Sequence, residues 1–159
     1  MPANRSPDGT DLDLLRELQE DARLSLAELG RRVGLSPPAV ADRLERLEQV
    51  GVIKGYRADV DPRALGYELE IVVRIRPAPR ELKKVAELAQ RTPEVVECHR
   101  ITGDDCYLMK AHARDVEHLE ELIDRFAVYG QTTTSLVQSS PVPRRTLERT
   151  PDRTTPSRP

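Results

Sequence analysis

The stretch Ser36-Pro37-Pro38-Ala39-Val40-Ala41-Asp42-Arg43-Leu44-Glu45-Arg46-Leu47-Glu48-Gln49-Val50-Gly51 leaves the chain few conformational choices. Ser36 is a good N-cap, and Pro37 suits the first helical position, where its missing N–H costs nothing. Val40, Leu44 and Leu47 recur at helical spacing and form one apolar stripe. Gly51 stands where a glycine ends a helix. Pro38, Ala39, Asp42, Glu45 and Arg46 fall off the stripe, so the helix has one buried face and one small, polar, readable face. Just upstream, Ser25–Gly34 reads as a shorter helix with its own cap and glycine stop, burying Leu26, Leu29 and Val33. The pair is a helix-turn-helix pattern, with Ser36–Val50 as the recognition helix.

A third helix begins at Asp11, which can cap it, and buries Leu14, Leu15 and Leu18. Residues 1–10, with Pro2, Pro7 and Gly9, read as a disordered lead-in. After Gly51 the pattern alternates from Val52 to Val60, predicting a short strand or wing, until Asp61-Pro62 breaks it. The first domain therefore spans residues 11–61, and 62–66 are a linker.

Residues 67–142 have a different rhythm. Tyr67–Arg76 places Leu69, Ile71, Val73 and Ile75 on one strand face. Glu81–Arg91 carries a helical stripe of Leu82, Val85, Ala86, Leu88 and Ala89. Val95–Ile101 and Cys106–Ala113 are strands around a turn at Thr102–Asp105. Asp115–Tyr129 is a helix with Val116, Leu119, Leu122, Ile123 and Phe126 on its stripe, and Thr132–Val137 is a last strand. The order is βαββαβ, the split βαβ of a ferredoxin-like domain. The fold class is α+β: a winged-type three-helix domain joined by a strand linker to that sheet domain. Its helices cover one sheet face, and the other is expected to stay apolar enough to want a partner, which asks for dimerisation through the sheet. Residues 143–159 are rich in arginine and proline, poor in apolar residues, and expected to be a disordered basic tail.

Charge is informative only locally. Charged residues make up 33% of the chain and the formal net charge is −2. Between Arg23 and Arg57, however, seven basic residues face four acidic ones, and the imbalance falls on the helix-turn-helix. With no Trp, one Phe and four Tyr, a single-strand stacking surface is not expected. No run approaches a membrane span and no signal-peptide pattern opens the chain, so the cytoplasm is the expected location. No nucleophile–base–orienter grouping, phosphate-binding glycine loop or metal motif occurs, so no enzyme and no cofactor is expected. Cys98 should lie opposite about Met109 rather than Cys106, so the two thiols are not expected to bridge. With His99, His112 and His118 they read as buried thiols and surface histidines, not metal ligands.

The run of Leu12-Asp13, Ala22-Arg23, Leu29, Val33-Gly34-Leu35-Ser36, Val40, Arg43-Leu44, Leu47-Glu48, Gly51–Tyr56, Leu65-Gly66, Val95, Thr102-Gly103-Asp104, Tyr107–Lys110 and Gly130–Thr134 resembles the Lrp/AsnC family of prokaryotic transcriptional regulators. The order and spacing of these residues carry the likeness from about Asp11 to Val142. The resemblance implies a DNA-binding domain followed by a domain, often called RAM, that assembles dimers and often octamers and binds small effectors, commonly amino acids. The family often has Gly-Asp-aromatic-Asp after the turn. Here Gly103-Asp104-Asp105-Cys106 replaces the later acid, so leucine does not carry over as the effector.

Candidate sites follow. Ser36, Pro38, Ala39, Asp42, Arg43 and Arg46 would face the major groove: Pro38 and Ala39 toward a thymine methyl, Arg43 and Arg46 toward guanine or phosphate. Asp42 would either accept from cytosine or penalise wrong sequences. Arg23, Arg31, Arg32, Lys54 and Arg57 would grip phosphates; a solvated basic rim is the plainer reading of each. At Thr102, Gly103, Asp104 and Asp105, backbone N–H groups could hold a carboxylate and a side-chain carboxylate an ammonium, as an α-amino acid demands; a hairpin turn favours the same residues. Gln131, Thr132, Thr133 and Thr134 offer an amide and hydroxyls near the dimer interface, or are ordinary strand residues. The expected partners are a double-stranded, roughly palindromic operator, further copies of the chain and a small effector. Competing readings are an architectural DNA-wrapping protein with weak sequence preference, and a metabolic sensor acting on an enzyme.

Overall fold

The computed structural model describes residues 6–147, so most of the expected lead-in and tail lies outside the described residues. The described residues divide into two compact units, one built from those up to Ala58 together with those from Val142, the other from Asp59–Pro141.

The first unit holds three helices: α1 (Gly9–Glu20), α2 (Leu26–Val33) and α3 (Pro37–Gln49). α1 starts earlier than expected. Asp8 is its N-cap and accepts from the Asp11 N–H at 2.9 Å, while the Asp11 carboxylate accepts from the Asp8 N–H at 2.9 Å. This reciprocal box pulls Gly9 and Thr10 into the helix and makes Asp11 an internal residue rather than the cap. Ser25 and Ser36 cap α2 and α3 as their sequence suggests, and Pro37 opens α3. Leu14, Leu29, Val40 and Leu44 form the core, with Leu18, Leu24, Val33, Leu35 and Ile53 packed against it. Leu26, expected inward, is 40% exposed.

The turn between α2 and α3 depends on two glycines. Gly34 takes φ 72°, a left-handed value that ends α2. Gly30, buried within α2, lets the backbone of Leu35 come so close that a Cβ would run into the Leu35 carbonyl oxygen. The Leu35 N–H donates to the Gly30 carbonyl at 2.8 Å.

The strand or wing expected over Val52–Val60 does not form among the described residues. The N–H groups of Val52 and Ile53 both donate to the Leu47 carbonyl, at 2.9 and 3.1 Å, so the segment starts as a tether to the end of α3. Gly55 at φ 144° then interrupts it. Alternating side chains favour an extended backbone, but a strand also needs a neighbouring ladder to take up its N–H and C=O groups. The segment expected as a linker contains a 3-10 turn, Pro62–Leu65, capped by Asp61.

The second unit contains β1 (Leu69–Pro77), α4 (Leu82–Arg91), β2 (Val95–Arg100), β3 (Tyr107–Ala113), α5 (Val116–Ala127) and β4 (Gly130–Leu136). One antiparallel sheet results, in the order β2-β3-β1-β4. Val73 lies opposite Met109 on one side and Thr134 on the other. Strand side chains alternate between faces, so this register sends Ile71, Val73, Ile75, Met109 and Ala111 to one side. There they bury with Val85 and Ala89 of α4 and Leu122 and Phe126 of α5. Both helices thus cover the same face.

The opposite face corrects an expectation. It carries Val72 and Leu108, but otherwise Glu70, Arg74, Arg76, Lys110, His112, Gln131, Thr133 and Ser135. It is mainly polar rather than apolar, and charges pair across it, as Lys110 with Glu70 at 2.8 Å. Cys98 lies opposite Met109, as the turn position requires, and both cysteines are free thiols. The expected burial is reversed for most of this set: Cys98 is exposed and Cys106 half-buried, while His112 and His118 are buried.

Gly30→Ala tests the closeness of the turn. Alanine gains about 1 kcal/mol in helix propensity, but overpacking against backbone costs about 1–3 kcal/mol, and the backbone has little room to give. Thermal melting followed by circular dichroism should show the variant less stable by up to about 2 kcal/mol; a higher midpoint would contradict so tight a turn.

Candidate nucleic-acid interface and effector site

α3 is two-sided, as its sequence demands. Val40, Leu44 and Leu47 are buried, while Pro38, Asp42, Glu45 and Gln49 are exposed on the opposite side and Ser36 stands exposed at the helix start. Ala39 is half-buried at the rim of an open cavity of about 410 Å³, lined also by Asp8, Asp11, Asp42, Arg43 and Arg46.

Arg43 and Arg46 do not simply project outward. Arg43 Nη1 donates to Asp8 Oδ2 and Asp11 Oδ1, each at 2.8 Å. Arg46 Nη2 donates to Asp11 Oδ2 at 2.6 Å. The Asp11 side chain is 1% exposed, the two guanidinium side chains about one third. A buried carboxylate is costly unless paired, and this one receives two guanidinium groups and a backbone N–H. Burial pushes the Asp11 carboxyl up, but the bonds from Arg46, the Asp8 N–H and Arg43 outweigh it and hold it below its ordinary range. The same Asp8 and Asp11 contacts raise Arg43 further above its already high value. Both arginines expected at the groove therefore tie α3 to α1. One sequence signal points to this: Asp11 shares helical spacing with Leu14 and Leu18 and so lies on the apolar stripe of α1.

The basic rim divides into two sets. Arg31 and Arg32 both bind Glu28, at 2.5 and 3.0 Å, and Arg32 also binds Glu17 at 2.8 Å. Hydrogen bonds from Arg31 and then Arg32 pull the Glu28 carboxyl down to about 2. Arg23, Lys54 and Arg57 are exposed, and among the described residues their side chains have no ion-pair partner. Tyr56, beyond α3, donates its hydroxyl to Glu48 at 2.8 Å; burial and that carboxylate push its phenol up to about 12.

In the second unit the turn at Thr102–Asp105, with Gly103 at φ 111°, joins β2 to β3. Two arginines of β1, absent from the sequence-based candidates, hold it. Arg76 Nε donates to the Asp104 carbonyl at 3.0 Å, and its Nη2 lies 3.5 Å from the Asp104 carboxylate. Arg74 Nη1 lies 3.8 Å from Asp105 Oδ2. In the ladder with β4, Arg76 pairs with Gln131 and Arg74 with Thr133. β1 thus brings the turn, Gln131 and Thr133 to one end of the open face. Thr132 and Thr134 pair with Ile75 and Val73 and belong to the helix-covered side, so the expected set is split. The signal for the arginines was the alternation itself: they fill two successive outward positions between Val73, Ile75 and Pro77. Among the described residues, no group of three or more His, Cys, Asp or Glu side chains is arranged to hold a metal ion.

A capped helix-turn-helix followed by a separate βαββαβ sheet domain is the architecture of a DNA-binding transcription regulator. The chain belongs to the Lrp/AsnC family: residues 8–48 match the AsnC-type helix-turn-helix domain and residues 70–147 the Lrp/AsnC ligand binding domain. It is 36% identical over 132 residues to the HTH-type transcriptional regulator LrpC of Bacillus subtilis, covering 83% of this chain and 92% of that one. It is 39% identical over 119 residues to the leucine-responsive regulatory protein of Escherichia coli, covering 73% of each. The solved structure of B. subtilis LrpC superposes with a TM-score of 0.80, covering 84% of this chain and 95% of that one. A transcriptional regulator of Neisseria meningitidis, solved as its L-Met complex, is 28% identical with a TM-score of 0.80, covering 87% of this chain and 94% of that one.

The buried carboxylate gives a stability prediction with a definite sign. Asp11→Ala removes the acceptor for Arg43, Arg46 and the Asp8 N–H and should lower stability by about 2 kcal/mol, since bonds to charged groups contribute about 1.5–3 kcal/mol each and exposed arginines are partly resolvated. Because the folded-state value is depressed, the contribution is fully present above the ordinary carboxylate value of about 4 and is lost as pH falls below it. Urea titrations at pH 7 and pH 3 should therefore separate wild type from variant widely at pH 7 and narrowly at pH 3; equal gaps would contradict the pairing.

Proposed function

We propose that the protein regulates transcription by binding a specific operator as a homo-oligomer, and that a small effector, an amino acid, alters its assembly or DNA affinity. The observation that supports DNA reading is the exposed stripe of α3, set on a helix whose opposite side is locked into a three-helix core. Helices so presented enter the major groove by their N-terminal half, here Ser36, Pro38, Ala39 and Asp42. Arg23, Lys54 and Arg57, with Arg31 and Arg32, contact phosphates. Arg43 and Arg46 act mainly by holding α3 in place, with their remaining N–H groups free for phosphate. Two copies present two such helices about one helical turn apart, so the operator is roughly palindromic.

Assembly uses the uncovered sheet face, where Val72 and Leu108 supply apolar area and the charged rows set register. The effector binds at the sheet end formed by Thr102–Asp105, Arg74, Arg76, Gln131 and Thr133. An α-amino acid carries one carboxylate and one ammonium, and this end offers both guanidinium and carboxylate groups. The present Arg–Asp contacts are exposed, and such pairs are weak enough in water for a charged ligand to replace them. The leucine-responsive and methionine-bound relatives support the class of effector, not its identity. An effector changes DNA affinity only by favouring one assembly over another. The protein works in the cytoplasm, where operator and amino acids meet.

Two measurements test this. In a salt titration with operator and random duplexes, both affinities should fall with salt while the operator stays at least about 1,000-fold tighter; equal affinities would favour an architectural protein. In a thermal-shift screen of the amino acids, one or a few should raise the melting temperature, and Asp104→Ala should lose that shift while keeping its own melting temperature. A normal shift in the variant would remove the turn from the effector site.

A further inference from the structure

The exposed stripe of α3 carries charge of an unexpected kind. Five of the side chains on α3 are ionic: Asp42, Arg43, Glu45, Arg46 and Glu48. Arg43 is bound to Asp8 and Asp11, and Arg46 to Asp11. Glu45 accepts from Gln49 Nε2 at 3.0 Å, and Glu48 accepts from the Tyr56 hydroxyl at 2.8 Å. Among the described residues, only Asp42 of the five has neither a side-chain hydrogen bond nor an ion pair. It is exposed, one turn after Pro38, on the side of the helix away from Val40, Leu44 and Leu47.

A carboxylate can only accept hydrogen bonds. In the major groove guanine offers the acceptors N7 and O6, and thymine offers the acceptor O4 and a methyl group. Adenine offers an amino donor, but it is flanked by acceptors on both sides, its own N7 and the O4 of the paired thymine, and these repel an anion. The N4 amino group of cytosine has an acceptor, the O6 of its paired guanine, on one side only and a C–H on the other, so it is the more open donor for a carboxylate. The geometry points to Asp42 as the specificity-determining residue of the recognition helix, accepting from the amino group of one cytosine in each half-site. Phosphate binding is then the work of the separate basic rim. The inference rests on the proposal that α3 is the DNA-reading helix.

The arrangement produces discrimination from two sides. At the cognate base the carboxylate gains a charge-assisted hydrogen bond. At guanine or thymine it faces acceptors or a methyl group, and at adenine an amino donor flanked by acceptors, in each case close to phosphates of its own sign. An unpaired anion in a groove is a penalty that operates against wrong sequences.

The experiment is selection of bound duplexes from a randomised pool by the full-length protein at one fixed salt concentration, with wild type, Asp42→Asn and Asp42→Ala. Asp42 has no partner to lose, so both variants should fold as the wild type does, which circular dichroism checks. The wild type should select cytosine at one position per half-site. Asp42→Ala should relax that preference by about tenfold or more and bind random duplex more tightly, because an anion has gone. Asp42→Asn should move the preference at the same position to adenine, whose N6 amino group donates to the carboxamide oxygen while N7 accepts from the carboxamide NH2. Base preferences unchanged in Asp42→Ala, even with a uniform rise in affinity, would overturn the assignment. A wild type with no base preference anywhere would overturn the operator reading as well.

Discussion

The first unit is built around a carboxylate that has almost no access to water. Asp11 is 1% exposed beside Leu14 in a small aliphatic core, where an unpaired charge would cost several kcal/mol on the order of the whole unit's stability. Its needs are met from two directions. The Asp8 N–H comes from the start of its own helix, and Arg43 and Arg46 come from α3. Those arginines stand three residues apart, on one flank of α3, so satisfying Asp11 fixes the rotation of α3 about its own axis. With that rotation set, Val40, Leu44 and Leu47 face the core and Pro38 and Asp42 face outward. The scaffold and the orientation of this outward side follow from one electrostatic requirement.

The second unit uses arginine–aspartate pairs to the opposite end. Arg74 and Arg76 meet Asp105 and Asp104 at an open sheet end, where the Asp104 side chain is 91% exposed. Water competes for these groups, so the pairs position the turn without locking it. Burial therefore separates a permanent clamp from a replaceable contact made by the same two residue types. The sheet itself is asymmetric for a simpler reason: alternation sends one residue of every two to the helices. At outward positions of β1 the chain has Glu70, Val72, Arg74 and Arg76, so the uncovered face is charged.

Much of this was legible in the sequence because it is local. Caps at Ser25 and Ser36, the glycine at the end of α2, the stripe of α3 and the alternation of β1 all act within a few residues, where spacing translates directly into geometry. Element order gave the βαββαβ architecture, and the turn at Gly103 gave the placement of Cys98 opposite Met109. Even so, the start of α1 was misplaced, because Gly9 reads as a breaker until the reciprocal bonds of Asp8 and Asp11 are in view. Val52–Val60 has the alternation of a strand, but alternation describes side chains and leaves open whether a ladder is within reach.

What the sequence by itself determined is the pair of architectures, the helix with one buried and one polar outward side, and the regions in which a ligand would be sought. What only the tertiary structure decided is the use to which each charge is put. Arg43 and Arg46 are as cationic in the sequence as Arg23 or Lys54. They differ because a partner more than thirty residues away, Asp11, is buried beneath them. Arg74 and Arg76 acquire their place at the turn only when β3 brings Asp104 and Asp105 alongside β1. The physical reason is common to both: a charge is defined by the groups and the dielectric around it, and those are assembled by long-range packing rather than by spacing along the chain.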